Sequence, residues 1–472
     1  MRTLNTLSIG VDIGGTFTDV VAVDTTSRSL LYTKVNSTPP ELVDGFLQGV
    51  DRALAMASAS YPDLSRVVHG TTVGTNAILE AKGAPIGILV TEGFEDVLAI
   101  GRQKRSDMYD VFLSAETPVF LTPRRRIVGI RERLYPDGSI DVSLDEEGVA
   151  RAVDNLVHGE GVEAIAVCYL FSFANPTHEE RTRKIILERH PVVRVSLSSS
   201  LDPRFREYER LCLTAFDAYL RPIVERYIEQ IQAELSNRGA KARFQIMHSR
   251  GGITSDETIL NNTVSTVLSG PAAGVVGGVF TARLSGLEEM VTLDMGGTSC
   301  DIALVEKGKP ILSSEGKIAR YPLRQPMLDI NTIGAGGGSI GWIDEGGLLR
   351  MGPQSSGANP GPACYDLAGD LPTCTDADLV LGYLDKDFFA GGRIPLNLEK
   401  SQRAIQEYIA KPLKLDLYEA AAGMYNVINV NMAAAIREVS VKQGFDPRDF
   451  PLVVAGGAGP NHACMIALEL EI

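Results

Sequence analysis

The pattern Asp-x-Gly-Gly-Thr-x-x-Asp occurs twice in this chain, and the separation of the two copies is that of whole domains. Val11-Asp12-Ile13-Gly14-Gly15-Thr16-Phe17-Thr18-Asp19 aligns without a gap on Leu293-Asp294-Met295-Gly296-Gly297-Thr298-Ser299-Cys300-Asp301. Such a repeat implies two related halves, not a solenoid. Leu7, Ile9 and Val11 alternate, Gly14-Gly15 supplies a turn, and Val20 to Val23 resumes a β-rich run; each copy therefore reads as a hairpin with a glycine tip.

Around the hairpins, strands alternate with helices, which predicts an α/β protein. Helices are expected over Glu41–Ala57 and Val73–Ala81 and after the cap at Asn175 and Thr177, with strands at Arg66–His69, Ile86–Val90, Ala164–Phe171 and Val192–Leu197. Phe205–Leu235 predicts a long helix, kinked at Pro222 and ended by Asn237 to Gly239, suited to cross between lobes. From Phe244 the pattern restarts. Later come a Gly-rich tract at Gly334–Gly341, a helix at Tyr418–Gln443 stopped by Gly444, a strand at Pro451–Ala455, and a helix opened by Pro460. At 472 residues the chain exceeds one core, so two lobes are expected, 7–200 and 201–472.

Lys plus Arg number 45 against 59 Asp plus Glu, and the resulting charge of -14 argues against nucleic acid as a partner. The six cysteines are scattered without a Cys-x-x-Cys unit, so reduced thiols in the cytoplasm are expected. The opening residues lack the zones of a secretory signal, and no apolar run reaches the length of a membrane span. Arg102, Lys104, Arg105, Arg124, Arg125 and Arg126 form a basic segment that either faces an anion or acidic partner or is a solvated loop.

A Gly-Gly-Thr tip lets backbone amides converge on a phosphate, with hydroxyls as added donors. The candidates are Gly14, Gly15, Thr16 and Thr18 in the first copy, and Gly296, Gly297, Thr298 and Ser299 in the second. Asp12 and Asp294, before each tip, are placed to hold Mg²⁺ directly or through water. Ordinary turn chemistry explains one such hairpin; it does not demand two. A third turn at Gly456, Gly457 and Gly459 offers bare backbone for a base and ribose.

His69 either orients substrate or shuttles a proton, or is a satisfied histidine at a strand end. Ser269-Gly270-Pro271 reads as a helix start, phosphate-binding or plain cap. Gly336 to Gly341 matches Gly-x-Gly-x-x-Gly, but Trp342 to Met351 reads as strand and turn, so a Rossmann site is rejected. A metal site from Cys364, Cys374, Asp376, Asp378, His462 and Cys464 is set aside, because no pair shows ligand spacing and Thr375-Asp376 fits a helix cap.

The hairpins and the late turn resemble the phosphate and adenosine segments of the actin, hexokinase and heat-shock ATPase superfamily. Gly10 to Asp19, His69-Gly70-Thr71-Thr72-Val73-Gly74-Thr75-Asn76, Ser269-Gly270-Pro271-Ala272-Ala273-Gly274 and Gly334-Ala335-Gly336-Gly337-Gly338-Ser339 resemble the hydantoinase A and 5-oxoprolinase family, over almost the whole chain. This resemblance implies a two-lobed, duplicated actin-like ATPase (ribonuclease H-like) fold. It implies ATP with Mg²⁺, opening of a cyclic amide such as a hydantoin or 5-oxoproline, and a hydantoinase B-type second subunit. It further implies close approach of Gly336 and Gly337 to nucleotide or substrate, a cleft position for His69, and a C-terminal family region absent here. An acetone or acetophenone carboxylase subunit, or a non-catalytic ATP-gated subunit, are the rival readings.

Overall fold

The computed structural model describes residues 7–14, 17–38, 41–103, 122–314, 316–318, 321–392 and 394–472. Gly15, Thr16, Lys104 and Arg105 lie outside the described residues. The chain is a mixed α/β protein with several sheets. It divides into two compact units, Met1–Gly270 with Ser313–Met327, and Pro271–Leu312 with Leu328–Ile472.

In the first unit a six-stranded sheet runs in the order Ile253–Ser255, Arg243–Met247, Leu64–Gly70, Leu7–Ile13, Phe17–Asp24, Leu30–Asn36. Leu7, Ile9, Val11 and Ile13 alternate into the core, where they join Phe46, Leu47 and Val50 of helix Leu42–Met56. A second, parallel sheet orders Arg194–Leu197, Ala164–Cys168, Ile86–Thr91 and Ile127–Ile130. Ile86–Thr91 is buried at every position because both of its faces are covered. Ile86, Ile88 and Val90 join one apolar cluster and Leu89 another, as the two-residue period of a strand requires.

The long helix spans Glu207–Asn237 with Pro222 inside it, and Gly239 follows at φ 86°. It lies wholly in the first unit, where Leu211, Ala215, Ala218 and Val224 pack in the cluster that holds Ile86 and Ile88. The expected crossing between lobes is not what this helix does. The reason is the next strand: Arg243–Met247 returns to pair in parallel with Leu64–Gly70, and Ile253–Ser255 then pairs with it to complete the first sheet before the chain leaves it. The compact-unit boundary therefore falls at Gly270, later than residue 200.

In the second unit Cys300–Glu306, Met290–Met295 and Leu452–Ala455 are successive strands of one sheet, and Ile330–Ile333 pairs with Cys300–Glu306. Gly336 to Gly341 leads into the antiparallel strands Ser339–Ile343 and Leu349–Ser355, not into a helix. Helix Leu417–Lys442 opens on a capping box between Asp416 and Glu419 and is followed by Gly444 at φ 83°. Helix Cys374–Val380 is capped by Thr373, with Asp376 reaching back to it; the cap thus stands two residues before the expected Thr375.

The described arginines of the basic segment pair with acids of the same chain, Arg102 with Glu209, Arg124 with Asp96, and Arg125 and Arg126 with Glu160. Five of the six cysteines are buried, and Cys464 is exposed. Among the described residues no helix is long and apolar enough to cross a membrane.

Candidate functional site

Both hairpins have the same register. Asp12 stands opposite Asp19 and Ile13 opposite Thr18; Asp294 stands opposite Asp301 and Met295 opposite Cys300. The tips close alike, the Gly14 amide donating to the Phe17 carbonyl at 2.9 Å and the Gly296 amide to the Ser299 carbonyl at 3.0 Å. On its other side each first strand has a parallel neighbour, which sets Asp12 beside Gly70 and Asp294 beside Ala455, one residue before Gly456.

The glycines beside each aspartate are the part of the pattern that the motif does not spell out. A β-carbon on Gly70 would sit 2.7 Å from Asp12 Oδ1, and one on Gly270 3.5 Å from the same oxygen. In the second unit a β-carbon on Gly456 would lie 2.5 Å from Asp294 Oδ1, and one on Gly274 3.0 Å from Asp294 Oδ2. Each carboxylate therefore occupies space left by absent side chains. Gly70, Gly270 and Gly274 carry no sequence signal of this role, because their juxtaposition with the aspartates depends on strand order and helix placement.

The second members of the aspartate pairs differ in their surroundings. Asp19 accepts from the Tyr32 hydroxyl at 2.6 Å and lies 3.3 Å from Lys34 Nζ. Asp301 accepts from the Thr332 hydroxyl at 2.6 Å. Burial pushes its carboxyl up to about 6, with the Asp294 charge adding to the rise and the Thr332 hydrogen bond opposing it.

The Gly-rich tract braces the second tip. Gly337 and Gly338 donate their amides to the Gly296 and Gly297 carbonyls at 3.0 and 2.6 Å. A β-carbon on Gly336 would come within 2.7 Å of backbone atoms of Gly297 and Thr298. Gly336 and Gly337 are themselves buried, whereas Gly297, Thr298, Gly456 and Gly457 are exposed. Gly459 is buried at the start of helix Gly459–Leu470, and the Ala458 amide donates to the Met295 carbonyl at 3.1 Å.

In the first tip Thr18 is buried, its hydroxyl 3.1 Å from that of Ser37, which donates to the Gly14 carbonyl at 2.7 Å. Ser37 had no sequence signal. Ser269 begins helix Ser269–Leu284, and its hydroxyl donates to the Thr71 carbonyl at 3.1 Å.

His69 is fully buried at its strand end. Its Nδ1 lies 3.1 Å from the Val11 carbonyl and its Nε2 2.8 Å from the Tyr227 hydroxyl, so Nδ1–H donates and Nε2 accepts. Burial lowers its pKa to about 4, and the ring is neutral. Its geometry fits the satisfied strand-end histidine of the two sequence readings.

Two family models match the chain: the hydantoinase/oxoprolinase N-terminal region over residues 8–190, and hydantoinase/oxoprolinase over residues 210–472. The caprolactamase subunit alpha of Pseudomonas jessenii is 37% identical, covering 98% of this chain and 67% of its own length. The acetophenone carboxylase gamma subunit of Aromatoleum aromaticum is 38% identical over 96% of this chain and 64% of its own. The crystal structure of the ATP-dependent caprolactamase from Pseudomonas jessenii superposes with a TM-score of 0.85 at 37% identity, over 98% of this chain and 67% of that one. The chain therefore belongs to the hydantoinase/oxoprolinase family.

Proposed function

We propose that this chain is the ATP-binding, A-type subunit of an enzyme that opens a cyclic amide, such as a hydantoin or 5-oxoproline, on a duplicated actin-like ATPase framework. One observation carries the reading. Twice, two aspartates stand directly opposite each other across a hairpin, and twice glycines leave the first of them its space. Like charges so placed destabilise a sheet, and a divalent cation with its phosphate ligands relieves that repulsion.

The donor set fits the group. Asp12 and Asp294 would hold Mg²⁺ through carboxylate oxygens, directly or through water, and both stand beside glycines that admit close approach. Mg²⁺, when bound, supplies neutralisation of the charge on a transferring phosphoryl group. The exposed backbone and hydroxyls at Gly297 and Thr298, with Gly14, Gly296 and Ser299, orient phosphate oxygens; Gly15 and Thr16 complete that set in the sequence. Gly456 and Gly457 present bare backbone to a nucleoside. Thr18, Gly336, Gly337 and Gly459 shape the turns from within, and His69 positions the strand that ends in Asp12 through the Val11 carbonyl.

An amide carbonyl resists attack by water, and transfer of a phosphoryl group to its oxygen turns that oxygen into a leaving group. The likeness to a caprolactamase subunit supports a lactam as the acceptor, and relatives named as subunits support a second, hydantoinase B-type chain. A cytoplasmic location belongs to the same reading. The likeness to an acetophenone carboxylase subunit supports a second reading, in which the acceptor is a ketone enolate with bicarbonate as co-substrate.

The test is phosphate release from Mg·ATP by the chain with its partner subunit, with lactams and hydantoins in one arm and ketone plus bicarbonate in the other. Stimulation in the first arm alone supports the hydrolase and in the second alone the carboxylase. Asp12→Asn and Asp294→Asn should each lower the stimulated rate by on the order of 100-fold or more with the fold retained. Full activity in either variant would overturn the assignment.

A further inference from the structure

We propose that Cys374, Asp378 and His462 form a buried zinc site in the second unit. Contrary to the expectation that no pair shows ligand spacing, Cys374 and Asp378 are four residues apart and stand one turn apart on helix Cys374–Val380, while His462 lies on helix Gly459–Leu470. Their ligating atoms all lie within 4.8 Å of one another, and all three residues are buried.

The separations match a metal's first shell. Cys374 Sγ is 3.4 Å from His462 Nε2, which is 3.5 Å from Asp378 Oδ2. Sulfur, nitrogen and oxygen ligands of tetrahedral zinc stand about 3.3–3.8 Å apart, given bonds of roughly 2.0–2.3 Å. His462 Nδ1 lies 2.9 Å from Asn429 Oδ1, so Nδ1–H donates there and the Nε2 lone pair faces the thiol and the carboxylate. Three electron-rich atoms thus converge.

The second observation is the state of Asp378. Its neighbour Asp376 is also buried, yet accepts from the Cys364 and Thr373 amides at 2.8 and 2.9 Å and from the Ser401 hydroxyl at 2.6 Å. Among the described residues Asp378 Oδ2 has the Asn461 side-chain amide at 3.4 Å as its donor, and Oδ1, also buried, has no hydrogen-bond partner. A carboxylate so enclosed with so few donors needs a positive charge beside it. A zinc ion bound by both its oxygens, by the thiolate and by the imidazole gives the Asp378 carboxylate the partner it lacks. Cys364 instead lies by Asp376, and Cys464 is exposed, so neither belongs to the set.

Such an ion would fasten helix Gly459–Leu470, which follows the Gly456–Gly457 turn, to helix Cys374–Val380. The site does not depend on the nucleotide reading. The test is the zinc content of the full chain purified from zinc-supplemented cells, in a Cys464→Ser background that removes the exposed thiol. One zinc per chain is expected; it should be lost in Cys374→Ser and in His462→Gln and kept in Asp294→Asn. Protein made in cobalt-supplemented, zinc-depleted medium should show a thiolate-to-cobalt charge-transfer band, a readout that needs no ligand variant to fold. Folded protein without zinc and without that band has a thiol hydrogen-bonded to the imidazole instead, and overturns the proposal. Zinc retained in both folded ligand variants overturns it as well.

Discussion

Asp294 Oδ1 fills the space beside Gly456, 2.5 Å from where a β-carbon on that glycine would stand, and Gly456 itself holds φ at 84°. Gly456→Ala must therefore strain its backbone and press on both the carboxylate and the Met295 carbonyl oxygen, which lies closer still to the same position. The expected outcome is at least a tenfold weaker Mg·ATP affinity in calorimetry, equivalent to about 1.4 kcal/mol, with the circular dichroism spectrum kept. Unchanged affinity would detach Asp294 from nucleotide binding.

The tract behind the second tip allows a separate prediction. Because a β-carbon on Gly336 would press on Gly297 and Thr298 backbone, which cannot yield as a side chain can, Gly336→Ala should cost about 1–3 kcal/mol of stability. Urea unfolding followed by tryptophan fluorescence reads this directly, since Trp342 lies on the strand that leaves the tract.

His69 makes stability depend on acid. Above pH 6.5 the ring is neutral whether the chain is folded or not; below it the unfolded chain takes up a proton that the folded chain refuses until about pH 4. Stability should fall across that window by about 3 kcal/mol as the pH is lowered. In His69→Gln, which cannot take up that proton, the difference between unfolding midpoints at the two ends of the window should shrink.

Two arginines separate burial from charge. Arg210 is fully buried, donates to the Ser172 hydroxyl and the Tyr169 carbonyl at 2.8 Å each, and lies over the Phe173 ring. Arg210→Ala should cost about 3–5 kcal/mol by leaving those acceptors buried without it. Arg125, paired with Glu160 at the surface, should give no measurable shift in melting temperature when changed to Ala.

Local structure was legible in the sequence wherever the cause was local. Alternation in Leu7 to Val11, the glycine turn and Pro460 at a helix start place their elements within a few residues. Long-range strand pairing was not legible. Nothing in Arg243–Met247 itself says that it pairs with Leu64–Gly70, far earlier in the chain, and so a boundary drawn at residue 200 comes before the compact unit is complete. For the same reason Gly70 and Gly456 gave no sign that they leave room for carboxylates, and Ser37 none that it holds a tip. His69 shows the opposite limit: residue type suggested chemistry, while its burial between Val11 and Tyr227 is a property of packing alone.

The return of Arg243–Met247 to the first sheet bears on how this protein can be cut. A fragment ending between the two family-model matches, near residue 200, would strip Leu64–Gly70 of its parallel neighbour and His69 of its Tyr227 partner. It would also leave Ile86, Ile88 and Ala166 without the long helix that shares their cluster. An open strand edge beside uncovered apolar surface is a recipe for aggregation. The smallest N-terminal piece worth expressing therefore runs at least through Gly270, because Ile259, Val264 and Val267 belong to the cluster of Ile86 and Ile88.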